Sequence, residues 1–134
     1  MQTFLPYACF AESAVCLDRR RLCKQRLECD SIVGALCYGA AAWASHPAVA
    51  MWRGYAMALM LYADCVEAEW LDRGYSSSRQ FYSPFAVAYP PWLGDPAFHA
   101  SHRSNLLRKM PSHYSKFGWP EPAGLPYVWP RSDR

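Results

Sequence analysis

Apolar residues recur at helical spacing in the stretch that follows the N-terminal arm. The arm, MQTFLPYACF, is predicted to be extended, because Pro6 lacks the amide proton and the backbone freedom of a helical residue. A helix is predicted from about Phe10 to about Tyr38, with a break near Asp18 and an end at Gly39. One face of this helix carries Leu22, Cys29, Val33 and Leu36.

The second periodic stretch predicts the longest helix of the protein. It lies in AAAWASHPAVAMWRGYAMALMLYADCVEAEWLDRGY, where Ser45 or His46 would cap the helix and Pro47 would occupy its first position. Gly74 would end it. The predicted buried stripe consists of Trp52, Leu59, Val66 and Trp70, with the small residues Ala56 and Ala63 beside it.

The last third of the chain predicts one more helix and an irregular tail. Asp95 would cap the helix in GDPAFHASHRSNLLRKMPSHY, with Pro96 in its first turn and Pro111 at its end. Residues 76–91 predict a loop, and from Ser112 onward Gly and Pro recur too often for regular structure. The aromatic residues expected to pack back on the helices are Tyr114, Phe117, Trp119, Tyr127 and Trp129. No strand pattern or internal repeat occurs, so an all-α fold of about three helices with an aromatic, proline-rich C-terminal wrap is predicted.

Length and composition predict a single compact domain spanning residues 1–134. Hydrophobic residues make up 52% of the chain and charged residues 19%, which excludes an intrinsically disordered protein. The formal net charge of +3 indicates little about partners, but its distribution is uneven. Five of the 14 Lys and Arg residues fall within residues 19–26, whereas residues 64–72 carry an acidic block. Separate basic and acidic segments in a small domain favour a binding face that carries one sign of charge.

The six cysteines and the N-terminus favour an intracellular chain with free thiols. No CxxC pair occurs, and no Cys/His spacing matches a zinc finger. The N-terminus has no basic segment followed by a long apolar run, so no secretion signal is predicted. The apolar stretch 55–66 is too short and too interrupted to span a bilayer. The motifs of nucleotide-binding folds, elbow-type serine hydrolases and zincins are absent.

The segment RRRLCKQRLECD, residues 19–30, carries the strongest candidate chemistry. Its cations could follow a phosphate backbone with salt-dependent affinity. The alternative is a solvated helix, because two turns cannot point all these side chains one way. Glu28 follows the cations, and a carboxylate there could stabilise a developing cation or move a proton. The alternative for Glu28 is an i,i+4 ion pair with Lys24, which stabilises a helix by about 0.2–0.5 kcal/mol.

Three histidines have both structural and functional explanations. His46 precedes Pro47 and would serve as a helix cap. His99 and His102 lie three residues apart, a spacing that permits metal ligation, but no acid or cysteine completes a site. Phosphate contact beside Arg103, or ordinary packing, is the better explanation, and no metal or cofactor is predicted.

Several segments together resemble the small all-helical pyrimidine-dimer DNA glycosylases, typified by phage endonuclease V. LDRRRLCKQRLEC is similar to the family segment that ends in the catalytic glutamate. HPAVAMWRGYAMALMLYADCVEAEWLDRGY resembles the family's long central helix, and SNLLRKMPSHYSKFG its last helix and aromatic tail. With MQTFLPY, PPWLGDPAFHASHRSNLLRK and LPYVWP, the order of these pieces is closest to a bacterial branch grouped with that family.

The resemblance implies a glycosylase that also nicks the strand and uses the α-amine of its first residue. That amine belongs to Met1, or to Gln2 if Met1 is removed. An α-amine has a pKa of about 7.7–8.0, so a useful fraction is neutral at pH 7. It would attack C1′ of the damaged nucleotide and form a Schiff base. The family's glutamate corresponds to Glu28, which would assist sugar opening and the β-elimination that nicks the strand.

The resemblance also implies a DNA-binding face. The family's histidine corresponds to His46, near the abasic sugar or its phosphate, and its last-helix lysine to Lys109. Leu27 stands where the phage enzymes carry an arginine, so the resemblance does not define the lesion. The residues expected to contact DNA are Arg21, Lys24, Arg26, His46, Arg103, Lys109 and Tyr114.

The expected function is excision of a damaged or modified base, such as a pyrimidine dimer or a modified pyrimidine, from duplex DNA. Met1 and Glu28 are the expected catalytic residues, and no cofactor is needed. The protein is expected to be a monomer in the cytoplasm, associated with the nucleoid. The alternatives are a non-catalytic DNA-binding module on the same fold and a small helical interaction protein with no DNA role.

Overall fold

The protein is helical throughout its regular structure. A computed structural model describes residues 1–39 and 45–130, and these contain six α-helices, one 3₁₀ turn and no strand. The all-α prediction is confirmed. The helices are α1 (Phe10–Cys16), α2 (Arg19–Tyr38), α3 (Pro47–Ala50), α4 (Ala56–Asp72), α5 (Pro96–Lys109) and α6 (Pro111–Tyr114), followed by a 3₁₀ turn at Ser115–Phe117.

The break predicted near Asp18 separates α1 from α2. Leu17 is extended, with φ −68° and ψ 138°, and the Asp18 side chain accepts a hydrogen bond from the Arg21 amide at 3.4 Å. Asp18 is therefore the N-cap of α2. At the other end Gly39 adopts a left-handed conformation with φ 67°, as a C-terminal glycine commonly does. The predicted start at Phe10, the break near Asp18 and the end at Gly39 are confirmed.

The predicted longest helix is instead two helices, and this prediction was wrong. His46 caps α3, its Nδ1 accepting from the Ala48 amide at 3.0 Å, but the helix ends after one turn. Gly54 has φ 86°, which ordinary side chains avoid, so the chain turns before α4. Trp52 is fully buried and donates from Nε1 to Thr3 Oγ1 at 3.1 Å. The beginning of the quoted stretch, residues 40–44, lies outside the described residues.

The third helix begins as predicted, but regular structure continues beyond its predicted end. Asp95 Oδ1 accepts from the Ala97 amide at 3.2 Å, and Pro96 occupies the first turn of α5. The helix ends at Lys109, and Met110 is not helical, with φ −151° and ψ 73°, so the predicted end before Pro111 is confirmed. Pro111 itself begins the separate short helix α6, because a proline is well tolerated in the first turn of a helix. Residues 76–91 contain no helix or strand, so the predicted loop is confirmed. A turn begins at residue 91.

The hydrophobic core lies around α4, which packs against α1 and α2. The N-terminal arm runs through this core, where Thr3 and Leu5 are fully buried. Across the described ranges, no helix is long and apolar enough to cross a bilayer.

The aromatic C-terminal tail packs back on the helices, as predicted. Trp119 stacks on Tyr114 with a centroid distance of 5.7 Å and on Phe117 at 5.2 Å. Its Nε1 donates to the Tyr7 hydroxyl at 2.8 Å, which ties the tail to the N-terminal arm. Tyr127 lies edge-on to His102 at 5.6 Å. The tail therefore covers the side of the molecule where the arm emerges.

Candidate functional site

A cleft of about 280 Å³ lies where the N-terminal arm meets α2 and the end of α5. Three elements that are distant in sequence form its walls, and the C-terminal tail adds one aromatic ring. The lining residues are Met1, Gln2, Phe4, Arg20, Arg21, Lys24, Gln25, Glu28, Lys109 and Tyr127. Five of the nine residues predicted for the site are therefore brought together here.

The Glu28 carboxylate faces the N-terminal segment. Its Oε2 accepts a hydrogen bond from the Gln2 backbone nitrogen at 2.9 Å, and its Oε1 lies 3.7 Å from Lys24 Nζ. The side chain is 16% exposed, so it is reachable from the cleft but shielded from bulk water. Glu28 thus forms the predicted ion pair with Lys24 and also lies beside the first residues of the chain.

Several cations surround this carboxylate. The Lys24 side chain is 72% exposed, whereas Arg21 is held by Asp18 at 3.1 Å. Partial burial, followed by the positive charges of Arg108 and Arg21, holds the pKa of Lys109 below its ordinary value. The cleft is therefore an electropositive hollow with one carboxylate inside it, an arrangement that attracts an anionic ligand.

A second, wider hollow of about 850 Å³ adjoins the cleft. The two hollows share the cationic residues Arg20, Arg21, Lys24 and Lys109. The remaining lining residues of the second hollow are Asp18, Arg19, Cys23, Leu27, Trp70, Met110 and His113. The hollow therefore combines a cationic rim with apolar side chains, which suits a ligand with phosphates and flat rings.

Arg26 lies outside both hollows although it belongs to the basic segment. Its Nε donates to Glu67 Oε1 at 2.8 Å, and its guanidinium stacks on Trp70 at 4.7 Å from the ring centroid. Glu67 is fully buried, and the Arg26 side chain is only 14% exposed. Arg26 therefore links α2 to α4.

Arg103, Tyr114 and His46 do not line the cleft either. Arg103 forms a two-bond pair with Glu121, each bond 2.9 Å, and donates to the Pro6 carbonyl at 2.7 Å. The Tyr114 hydroxyl donates to Asp18, and the ring is fully buried. Besides capping α3, His46 contacts the edge of Trp129, with 6.2 Å between the ring centroids. These contacts hold the arm, the N-cap of α2 and the tail in place.

Four lining residues of the cleft were missed by sequence reasoning. Gln25 is three residues before Glu28 and hence on the same face of α2, so helical spacing could have found it. Arg20 belongs to the basic run but was not singled out. Phe4 and Tyr127 carry no local signal for a cleft, because their position depends on the path of the arm and of the tail.

His99 and His102 face the arm rather than a metal site. His102 Nδ1 accepts from the Leu5 amide at 2.9 Å, and His99 Nδ1 lies 2.7 Å from the Leu5 carbonyl oxygen. Within the described ranges, no three His, Cys, Asp or Glu side chains are grouped to hold a metal ion. The packing explanation of these histidines agrees with their contacts.

Comparison with known proteins identifies the N-terminal part of this arrangement. The family model for pyrimidine dimer DNA glycosylase matches residues 1–83, which is more than half of the chain. A search of curated proteins found no match, and a search of solved structures found none. The matched region contains the arm, α2 and Glu28, whereas Lys109 and Tyr127 lie beyond it. The chain therefore belongs to the pyrimidine dimer DNA glycosylase family.

Proposed function

We propose that the protein is a DNA glycosylase with AP-lyase activity, which excises a damaged or modified pyrimidine from duplex DNA through its N-terminal α-amine. The family supports the substrate class. The observation that carries the chemistry is the 2.9 Å hydrogen bond between the Gln2 backbone nitrogen and Glu28 Oε2, inside a cationic cleft that Met1 also lines. A nucleophile at the chain terminus and a carboxylate thus lie in one electropositive site.

The first step is attack of the α-amine on C1′ of the target nucleotide. A C1′–N bond forms, and the bond from C1′ to the base breaks with its electron pair going to the base, which takes up a proton from water as it leaves. Loss of the amine proton and opening of the sugar at O4′ then leave a Schiff base. The amine belongs to Met1 when that residue is retained. It belongs to Gln2 when Met1 is removed, and that nitrogen is already in contact with Glu28.

Glu28 supplies the acid–base chemistry of the later steps. Its carboxylate stabilises the positive charge that develops on the sugar, takes the proton that the attacking amine loses, and returns that proton to O4′ as the C1′–O4′ bond breaks. Removal of a proton from C2′ then expels the 3′ phosphate, which nicks the strand. Water hydrolyses the Schiff base and releases the amine for the next turnover.

The cations that line both hollows bind the DNA backbone. Arg20, Arg21, Lys24 and Lys109 carry positive charge from the cleft into the wider hollow, and phosphate contacts there displace condensed counterions. A cleft of about 280 Å³ accommodates a nucleotide only after it has left the base stack. Flipping costs a few kcal/mol, and least at a damaged base, which favours lesions.

Borohydride trapping on lesion-bearing duplexes tests the proposal directly. Reduction of a Schiff base leaves a covalent protein–DNA adduct, and peptide mapping of that adduct identifies Met1 or Gln2 as the attached residue. Acetylation of the N-terminus is expected to abolish trapping while duplex binding persists. Salt-dependent binding with no adduct on any lesion would instead establish a non-catalytic DNA-binding module.

Substitution of Glu28 tests its assigned role. We expect Glu28→Gln to fold, to bind duplex at least as well because one negative charge is lost, and to nick the strand slower by about two or more orders of magnitude. The Gln side-chain oxygen can still accept from the Gln2 amide, so the fold of the arm is retained. Glu12→Gln, an exposed site on α1, makes the same charge change outside the cleft and is the matched control. Wild-type nicking by Glu28→Gln would refute the role of the carboxylate.

A further inference from the structure

The N-terminal arm contains no helix, and within residues 1–39 and 45–130 no strand pairs with it, so side chains satisfy its backbone. The Leu5 amide donates to His102 on α5, and the Phe4 carbonyl accepts from the Tyr62 hydroxyl on α4. Buried backbone groups are expensive to leave unpaired, so each of these side chains stabilises one path of the arm. The first residues of a chain are otherwise poorly ordered.

Gln25, on the same helix as Glu28, makes two hydrogen bonds to the arm. Its Nε2 donates to the Gln2 carbonyl oxygen at 2.8 Å, and its Oε1 accepts from the Phe4 amide at 2.7 Å. These are the two bonds that a neighbouring strand would supply, made here by a single side-chain amide. Because one end must donate and the other accept, the amide is held in one orientation.

The location of Gln25 couples this contact to the carboxylate. Gln25 is 1% exposed and lies one helical turn before Glu28 on α2. The backbone of Gln2 is therefore held on both sides by the same helix: Gln25 donates to its carbonyl oxygen, and Glu28 accepts from its nitrogen. A shift of the Gln25 amide would move the first residues relative to the carboxylate.

We propose that Gln25 is a positioning residue, which holds the first two residues of the chain against Glu28 so that the N-terminal amine projects into the cleft. The catalytic consequence rests on the proposed function, whereas the positioning itself does not. A nucleophile on a loose terminus loses the advantage of a preorganised site, and a displacement of 1 Å can reduce a rate by about 100-fold.

Amide hydrogen exchange measures the positioning without any DNA. In Gln25→Met the shape is nearly kept but both hydrogen bonds are lost, so we expect the Gln2 and Phe4 amides to lose protection by about tenfold or more. The Gln2 amide is the informative probe, because its own partner is Glu28 and not Gln25. Asn105→Leu is the control, since it removes a buried amide that bonds Ser101 and Leu125 and does not touch the arm. Unchanged Gln2 protection in Gln25→Met, or an equal loss in the control, would overturn the proposal.

Trapping kinetics measure the catalytic consequence. We expect Gln25→Met to reduce the single-turnover trapping rate by about tenfold or more while the duplex Kd stays within about twofold, because the cations are untouched. If the wild-type protein traps and Gln25→Met traps equally fast, the positioning role is refuted while the proposed function stands. If the wild-type protein never traps, the proposed function fails, and the exchange result still decides whether Gln25 holds the arm. Gln25→Asn, which keeps the amide one methylene shorter, replaces Gln25→Met in both assays if the latter does not fold.

Discussion

At the scale of single residues, the most informative side chains are two buried histidines that act as neutral hydrogen-bonding groups. His99 Nε2 accepts from the Gly94 amide at 2.9 Å, so its Nδ1 carries the proton and donates to the Leu5 carbonyl oxygen. His102 Nδ1 accepts from the Leu5 amide. Burial, together with the neighbouring His99, lowers the pKa of His102 to about 3. Protonating His102 would both charge a buried ring and remove the acceptor of the Leu5 amide.

We therefore expect stability to fall on mild acidification. The unfolded state binds a proton on His102 below a pH of about 6.5, and the folded state does so only near pH 3. Between these values the free energy of unfolding decreases as pH falls, by up to about 1.4 kcal/mol per pH unit. His102→Gln can still accept from the Leu5 amide but does not titrate, so its urea midpoint should depend less on pH between 7 and 5 than that of the wild type.

The same substitution at His113 is the control for losing one imidazole. His113 lies at the second hollow and does not contact the arm. The urea midpoint of His113→Gln should depend on pH as that of the wild-type protein does. Equal slopes for His102→Gln and the wild type would show that His102 does not couple folding to pH.

At the scale of elements, α2 sends its cations in different directions. Arg20, Lys24 and Glu28 follow one another at helical spacing and line the cleft. Arg26 turns to α4, and Arg19 lies over the ring of Tyr75 at 5.4 Å from the centroid. As predicted from the helical geometry, the cations of these two turns do not all point in the same direction. The helix nevertheless presents a continuous cationic row on the cleft side.

This row predicts a salt dependence that can be measured. We expect the double variant Arg20→Ala, Lys24→Ala to weaken duplex binding and to reduce the slope of log K against log salt by about two, or roughly one per lost phosphate contact. Arg53→Ala, Lys116→Ala removes the same charge from residues that line neither hollow, and its slope should be unchanged. Equal slopes for the two double variants would mean that net charge, and not this face of α2, determines binding.

At the scale of the whole molecule, the family match ends inside a continuous core. Residues 1–83 match, but Phe98 and Leu106 of α5 are fully buried in the same hydrophobic cluster as Leu5 and Leu22. Tyr114, from beyond the matched region, bonds the N-cap of α2. The second part of the chain thus completes the core of the first and contributes Lys109 and Tyr127 to the cleft.

We expect the chain to unfold in a single cooperative transition, as one domain of 134 residues. Urea curves followed by tryptophan fluorescence and by far-ultraviolet circular dichroism should coincide. Circular dichroism reports the helices. Tryptophan fluorescence reports the packing around the indole rings, of which Trp52 and Trp92 lie together near the arm and Trp70 lies at the end of α4. Two separate transitions would show that the region after residue 83 folds on its own and would contradict the single-domain prediction.

The sequence by itself determined the features that depend on near neighbours along the chain. The all-α class follows from apolar spacing, and the break near Asp18, the end at Gly39 and the cap at Asp95 follow from residue types at or next to the helix ends. The ion pair between Glu28 and Lys24 follows from their separation of four residues on one helix. Each of these needs contacts within a few residues only.

Tertiary structure alone decided the features that depend on distant partners. Arg26 pairs with Glu67, 41 residues away, and Leu5 bonds His102, 97 residues away, so local patterns assign neither. Gln25 is recognised as important only once the arm lies across α2, and Tyr127 only once the tail returns to the cleft. The physical reason is that a buried polar group takes whichever partner the packed chain brings to it, because leaving it unpaired costs more than any local preference supplies.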